Sequence, residues 1–179
     1  MVPFSLLYFS HFNYVMGWRS LDNIIEKNEK KYIRASVGRI INELYYSNYK
    51  PRRFSMEDGI SIHYGLGFVN ERKYCRFYTT DRYIFDICGI PDRVVVEDKV
   101  YVDELKTTVS WRKDNKVIRA GLQQLNMYLY LTGAELGRLF VYYKDKQQLT
   151  LHSTISFNEK AMSHMLLTYA KIYELRKQT

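Results

Sequence analysis

Two hydrophobic periods divide the chain. Between residues 20 and 48 the apolar positions Ile33, Val37, Ile40, Ile41 and Leu44 recur at helical spacing, with Ser20 available to cap the start. Tyr49 to Arg53 ends that segment, because Pro51 disfavours helical geometry at Lys50. Residues 72 to 90 switch to alternation, with Tyr83, Phe85 and Ile87 against Ile84, Asp86 and Cys88, and predict two strands turning near Asp81-Arg82. Val94 to Val96 and Val100 to Val102 then form a hairpin across Glu97-Asp98. Helical spacing returns from Val117 to Leu131, where Ile118, Leu122, Leu125 and Leu129 make a core face and Thr132-Gly133 a stop. Strands follow at Leu139 to Tyr143 and Leu149 to Ile155. Ser156-Phe157-Asn158-Glu159 reads as a capping box opening a last helix with Met162, Met165, Leu166, Tyr169 and Tyr173 on one side. The order of helix, three or four strands, helix, two strands and helix predicts a mixed α/β sandwich.

Four ionisable groups interrupt the hairpin near its open end: Asp92, Asp103, Glu104 and Lys106. Alternation sets Val100, Val102, Glu104 and Lys106 on one face, so an acid and an amine continue an apolar row. Such groups are costly in a core unless they pair or bind a metal. A two-residue turn at Glu97-Asp98 sets Asp92 opposite Asp103. A three-residue or bulged turn around Asp98 sets it opposite Glu104 instead. Both registers are open from the pattern, and Asp103 rivals Glu104 as a ligand. The face shared with Lys106 favours Glu104. Two acids and a lysine at one sheet edge suit hydrolysis assisted by Mg²⁺ or Mn²⁺, which take hard oxygen ligands.

Pro91-Asp92 followed by Glu104-Leu105-Lys106 resembles the PD-(D/E)XK signature of restriction-endonuclease-like nucleases. Gly89-x-x-Asp92 is similar to the GxxD form of the RecB-type branch, Gln124-x-x-x-Tyr128 to its QxxxY helix, and Gly59-x-x-x-His63 to its GxxxH motif. The resemblance implies an α/β, restriction-endonuclease-like mixed sheet flanked by helices. It also implies that His63, Asp92, Glu104 and the Leu105 carbonyl hold Mg²⁺ or Mn²⁺, that Lys106 assists the attacking water, and that Gln124 and Tyr128 steady the site or the strand. Many relatives of this kind, including CRISPR-associated exonucleases, anchor an iron–sulfur cluster through four cysteines. This chain has only Cys75 and Cys88, so no iron–sulfur cluster is expected.

The 179 residues, 46% hydrophobic, suit one domain: an arm or helical extension over 1–30 and a core over about 31–179. The net charge of +8 favours a polyanionic partner without identifying one, and the resemblance implies that it is DNA. Arg52 and Arg53, on a loop, and Trp111, Arg112 and Lys113, in a polar connector, are the expected strand contacts. Lys27, Lys30, Lys31, Arg34 and Arg39 read as a solvated face before a phosphate track, and Glu43 as an exposed acid before a metal ligand. Two cysteines are too few for a disulfide framework, so a reduced, intracellular, cytoplasmic chain is the simpler assumption. Residues 1 to 18 are apolar and aromatic but interrupted by Ser10, His11 and Asn13, which argues against a membrane span or signal peptide and for an arm packed on the core or on a second subunit in a homodimer. The expected activity is metal-dependent DNA hydrolysis in the manner of a RecB-like exonuclease acting on ends or single strands. Its alternatives are a catalytically silent nucleic-acid-binding protein of the same fold and a junction-resolving endonuclease.

Overall fold

The computed structural model describes residues 30–47, 53–109 and 115–178. Seven strands and four helices are found among them, in the order β1 (Lys31–Ser36), α1 (Val37–Tyr45), α2 (Arg53–Gly65), β2 (Tyr74–Thr79), β3 (Tyr83–Gly89), β4 (Arg93–Val96), β5 (Val100–Thr108), α3 (Asn115–Thr132), β6 (Leu136–Tyr143), β7 (Gln148–Ile155) and α4 (Glu159–Lys177). One sheet runs β1-β3-β2 and the other β4-β5-β6-β7. Each combines a parallel with an antiparallel pairing: β1 is parallel to β3 and β5 to β6. Helix α3 packs against β2 and β3 of the first sheet and β5 and β6 of the second, while α1 and α4 close the far side of the core.

One boundary differs from the pattern reading. Residues 31–36, expected within a helix, form β1, whose Ile33 and Ala35 face the core beside β3. Ile33 and Val37 are four apart, a spacing that serves a strand as well as a helix. Pairing with the buried β3 decides it in favour of the strand. The helix then starts at Val37, capped by Ser36, whose Oγ accepts from the Arg39 N–H at 3.2 Å.

The last helix is also capped two residues later than the sequence suggests. Asn158 is its N-cap, its side chain accepting from Ala161 N–H at 2.9 Å. The buried Asn126 amide holds Asn158 from both sides, donating to its carbonyl at 2.9 Å and accepting from its N–H at 2.8 Å. That pair fixes where the chain turns into α4. Gly133, at φ 72°, ends α3 in the left-handed conformation, as expected.

The cysteines correct a further expectation. Cys75 and Cys88 are register partners on antiparallel β2 and β3, with Cα atoms 4.1 Å apart, and are joined as a disulfide. Their distance in sequence hid a direct cross-strand pairing, so the assumption of two reduced thiols does not hold. No helix among the described residues is long and apolar enough to cross a membrane. The expectations for the arm over 1–29 lie outside the described residues.

Candidate active site

Register decides which of the two neighbouring acids lies across from Asp92. Val96 pairs with Val100 and Arg93 with Asp103, so Glu97, Asp98 and Lys99 form a three-residue turn, closed by the Glu97 N–H donating to the Lys99 carbonyl at 2.9 Å. Continuing the ladder by one residue brings Asp92 across from Glu104. The Asp92 carboxylate accepts from the Leu105 N–H at 2.7 Å, which ties the residue before β4 to the middle of β5. Asp103 points to the other face. There it is enclosed by Arg93 and Arg138, with contacts of 2.7 Å from each.

On the α3 face, Lys106 Nζ lies 2.6 Å from Glu104 Oε1 and donates to Gln124 Oε1 at 2.7 Å. Gln124 Nε2 in turn donates to the Tyr128 hydroxyl at 3.3 Å. The four side chains make a continuous chain from β5 to α3. Gly121 makes this approach possible: a Cβ there would stand 3.0 Å from Lys106 Cγ and 2.9 Å from Leu139 Cδ1. His63, from α2, brings Nδ1 to 3.5 Å from the second Asp92 oxygen. Gly59, one turn earlier on α2, sits over Thr107 of β5. Thus Asp92, Glu104, Lys106, Gln124 and His63 line one cavity of about 960 Å³, together with Leu105.

Burial sets the electrostatics of this cluster. Glu104 is 1% exposed, and its Oε2 is buried with no hydrogen-bond partner. Desolvation, reinforced by the Asp92 charge, pushes its carboxyl up to about 8 despite the opposing pull of Lys106. Burial pulls the Lys106 ammonium down, but Glu104 and Asp92 outweigh it and the net shift is upward. Burial, then the Glu104 charge, raises the Tyr128 phenol, which stays protonated.

Among the described residues, no three His, Cys, Asp or Glu side chains already stand close enough to hold a metal ion. Glu104 Oε1 is turned to Lys106, and His63 to Asp92. The donor types nevertheless fit a hard cation: two carboxylates, an imidazole and a nearby main chain. The unpartnered Glu104 Oε2 is a buried acceptor of the kind an ion would satisfy.

Arg52, Trp111, Arg112 and Lys113 lie outside the described residues. Arg53, expected on a loop, is instead the first residue of α2. Glu43 is ion-paired with Arg176 between α1 and α4, away from the cavity. Asp86 is engaged by the Tyr32 hydroxyl at 2.8 Å and Arg34 at 3.3 Å. Sequence reasoning passed over Tyr46, which lines the cavity with the Lys116 ammonium 5.3 Å above its ring. It also passed over the rim, where the exposed Ile60, Tyr64, Val69, Ile90 and Val109 surround the charged floor. An apolar residue left out of every helical or alternating face was the available signal.

The chain has a mixed α/β fold, with mixed sheets flanked by helices. Its coordinates are similar to the crystal structure of SSO0001, with a TM-score of 0.60, 20% identity and 86% of each chain covered. A more distant likeness is to LHK-Exo in complex with dAMP, at a TM-score of 0.49 and 13% identity, covering 86% of this chain and 91% of that one. LHK-Exo is an alkaline exonuclease from Laribacter hongkongensis. The fold assignment rests on the first of these and on the mixed sheets flanked by helices. No protein-family model matches the sequence, and no curated protein matches it either.

Proposed function

We propose that this chain is a divalent-metal-dependent nuclease that hydrolyses phosphodiester bonds in DNA. The observation that carries the reading is the shared cavity of Asp92, Glu104 and Lys106, with one oxygen of the buried Glu104 left without a partner. Asp92, Glu104, His63 and the Leu105 carbonyl are the residues that would hold Mg²⁺ or Mn²⁺. When bound, such an ion supplies Lewis-acid polarisation of the phosphodiester and acidifies water.

The remaining work falls to the chain's own groups. The Leu105 N–H holds the Asp92 carboxylate in one orientation. Lys106 offers its ammonium protons to the attacking water and to charge developing on the phosphate. Gln124 keeps that ammonium from swinging away, and Tyr128 keeps Gln124 in place. Such fixed geometry favours in-line attack. The net charge of +8 supports a polyanionic substrate. RecB-like exonucleolytic action on ends or single strands, which the four motifs support, is the form we favour over junction resolution by a homodimer.

The test is incubation of labelled single-stranded, duplex and branched DNA with Mg²⁺, Mn²⁺ or a chelator. Metal-dependent cutting that disappears in Lys106→Ala is expected. Binding without cutting in either metal, on every substrate, would replace this reading with that of a catalytically silent nucleic-acid-binding protein.

A further inference from the structure

A second groove of about 550 Å³ opens beside the cavity, lined by Arg34, Ser36, Arg39, Lys73, Ile90 and Tyr128 among others. Ile90 lines both spaces, so they lie on either side of a single exposed side chain. Tyr128 lines the groove and also bonds the Gln124 amide that holds Lys106. The segment that carries Asp92 thus begins along this groove.

Three cations and no carboxylate line it. Arg34 is shared with Asp86, which the Tyr32 hydroxyl also engages. Arg39 and Lys73 are exposed, and neither forms an ion pair with a described residue. The groove is open at Gly38, where an added Cβ would meet nothing within 4 Å. It is closely packed at Gly89, where a Cβ would stand 2.7 Å from the Tyr128 ring and 2.8 Å from Val37.

Resting on the nuclease reading of the neighbouring cavity, we propose that this groove holds backbone phosphates of the nucleic acid on the Ile90 side of the bond to be cut. Two cations that form no ion pair with a described residue suit a repeating monoanion, and a wall shared with the cavity favours a polynucleotide over an acidic peptide. Arg34 and Arg39, which in sequence look like a solvated face, belong to a substrate path.

The experiment measures binding of a long single-stranded oligonucleotide and of a dinucleotide across a salt series, in chelator, for wild type and Arg39→Ala/Lys73→Ala. The loss of affinity should be graded with length, reaching about tenfold or more for the long strand. The slope of log K against log salt should become shallower by about 1.4, as two lost phosphate contacts imply. A Lys160→Ala/Lys171→Ala pair, on the exposed side of α4, should leave both quantities unchanged. Unchanged affinity and slope in the groove variant, or an equal loss in the α4 pair, would overturn the proposal. Cutting assays on the same proteins separate the two readings. A protein that never cuts, yet shows the length-graded loss, refutes the nuclease reading and keeps the groove. A protein that cuts with the groove variant behaving as wild type refutes the groove alone.

Discussion

Asp103 and Glu104 are adjacent on β5, both buried to within 1% of completely, and they have opposite surroundings. Asp103 faces two guanidinium groups, and both its oxygens are engaged. Arg93 in turn stacks on Phe68 at 4.2 Å and Arg138 on Tyr101 at 4.4 Å, so the whole assembly is packed as well as paired. Glu104 has one ammonium on one oxygen and nothing on the other. A satisfied buried acid locks three strands together. An unsatisfied one costs stability, which makes sense where an incoming cation or substrate completes it.

The largest effect that would sharpen this contrast is on cutting. Asp92→Ala and Lys106→Ala are each expected to lower the single-turnover rate by about 10²–10³-fold, measured with labelled DNA in Mg²⁺ or Mn²⁺. Undiminished cutting in either would remove the functional side of the comparison.

The next effect is on stability. Asp103→Asn should lower the free energy of unfolding, read from urea titration, by on the order of 3 kcal/mol, because it strands two guanidinium groups. At a pH near 4.5, where the acid is protonated in the folded state, Glu104→Gln should change it by no more than about 1 kcal/mol, and at neutral pH it should abolish cutting. Equal destabilisation by both substitutions would break the contrast.

Acidity separates the two acids further. The folded Glu104 carboxyl titrates near 8, above its ordinary value of 4.5. A raised folded value means that folding favours the protonated form. The contribution of this group is therefore full below about 4.5 and is lost as the pH rises through about 8. In metal-free protein, the melting temperature of wild type should fall relative to Glu104→Gln over that window. Mn²⁺ binding must displace the same proton, so affinity should rise by about tenfold per pH unit up to about 8. A flat difference between the two melting curves would contradict this.

Smaller effects concern the support of Lys106. Gly121→Ala should lower cutting by about tenfold through displacement of the lysine stem, with little change in melting. Tyr128→Phe, which removes the acceptor for the Gln124 amide, should cost about fivefold, the equivalent of one hydrogen bond.

Much of this was legible in the residues. The alternation on β5 already set Glu104 and Lys106 on one face, and the four-residue spacing of Gln124 and Tyr128 set those two on one side of α3. Both arrangements depend on local periodicity, and both are found. The start of β1 was not legible, because Ile33 and Val37 satisfy two periods and only pairing with β3 selects one. The partners of Asp103 were hidden for a similar reason: Arg138 comes from a parallel neighbour 35 residues away. The cysteine pairing and the groove along Ile90 are likewise products of register between strands, which no window of sequence displays.

The turn of Glu97, Asp98 and Lys99 has a consequence out of proportion to its position far from the chemistry. Its length acts as a selector. With the same residues in a two-residue turn, Val96 would pair with Lys99, the ladder would bring Asp92 level with Asp103, which two arginines already occupy, and Glu104 would lose its companion. A surface loop of this kind, remote from the cavity, thus decides which of two buried carboxylates Asp92 meets.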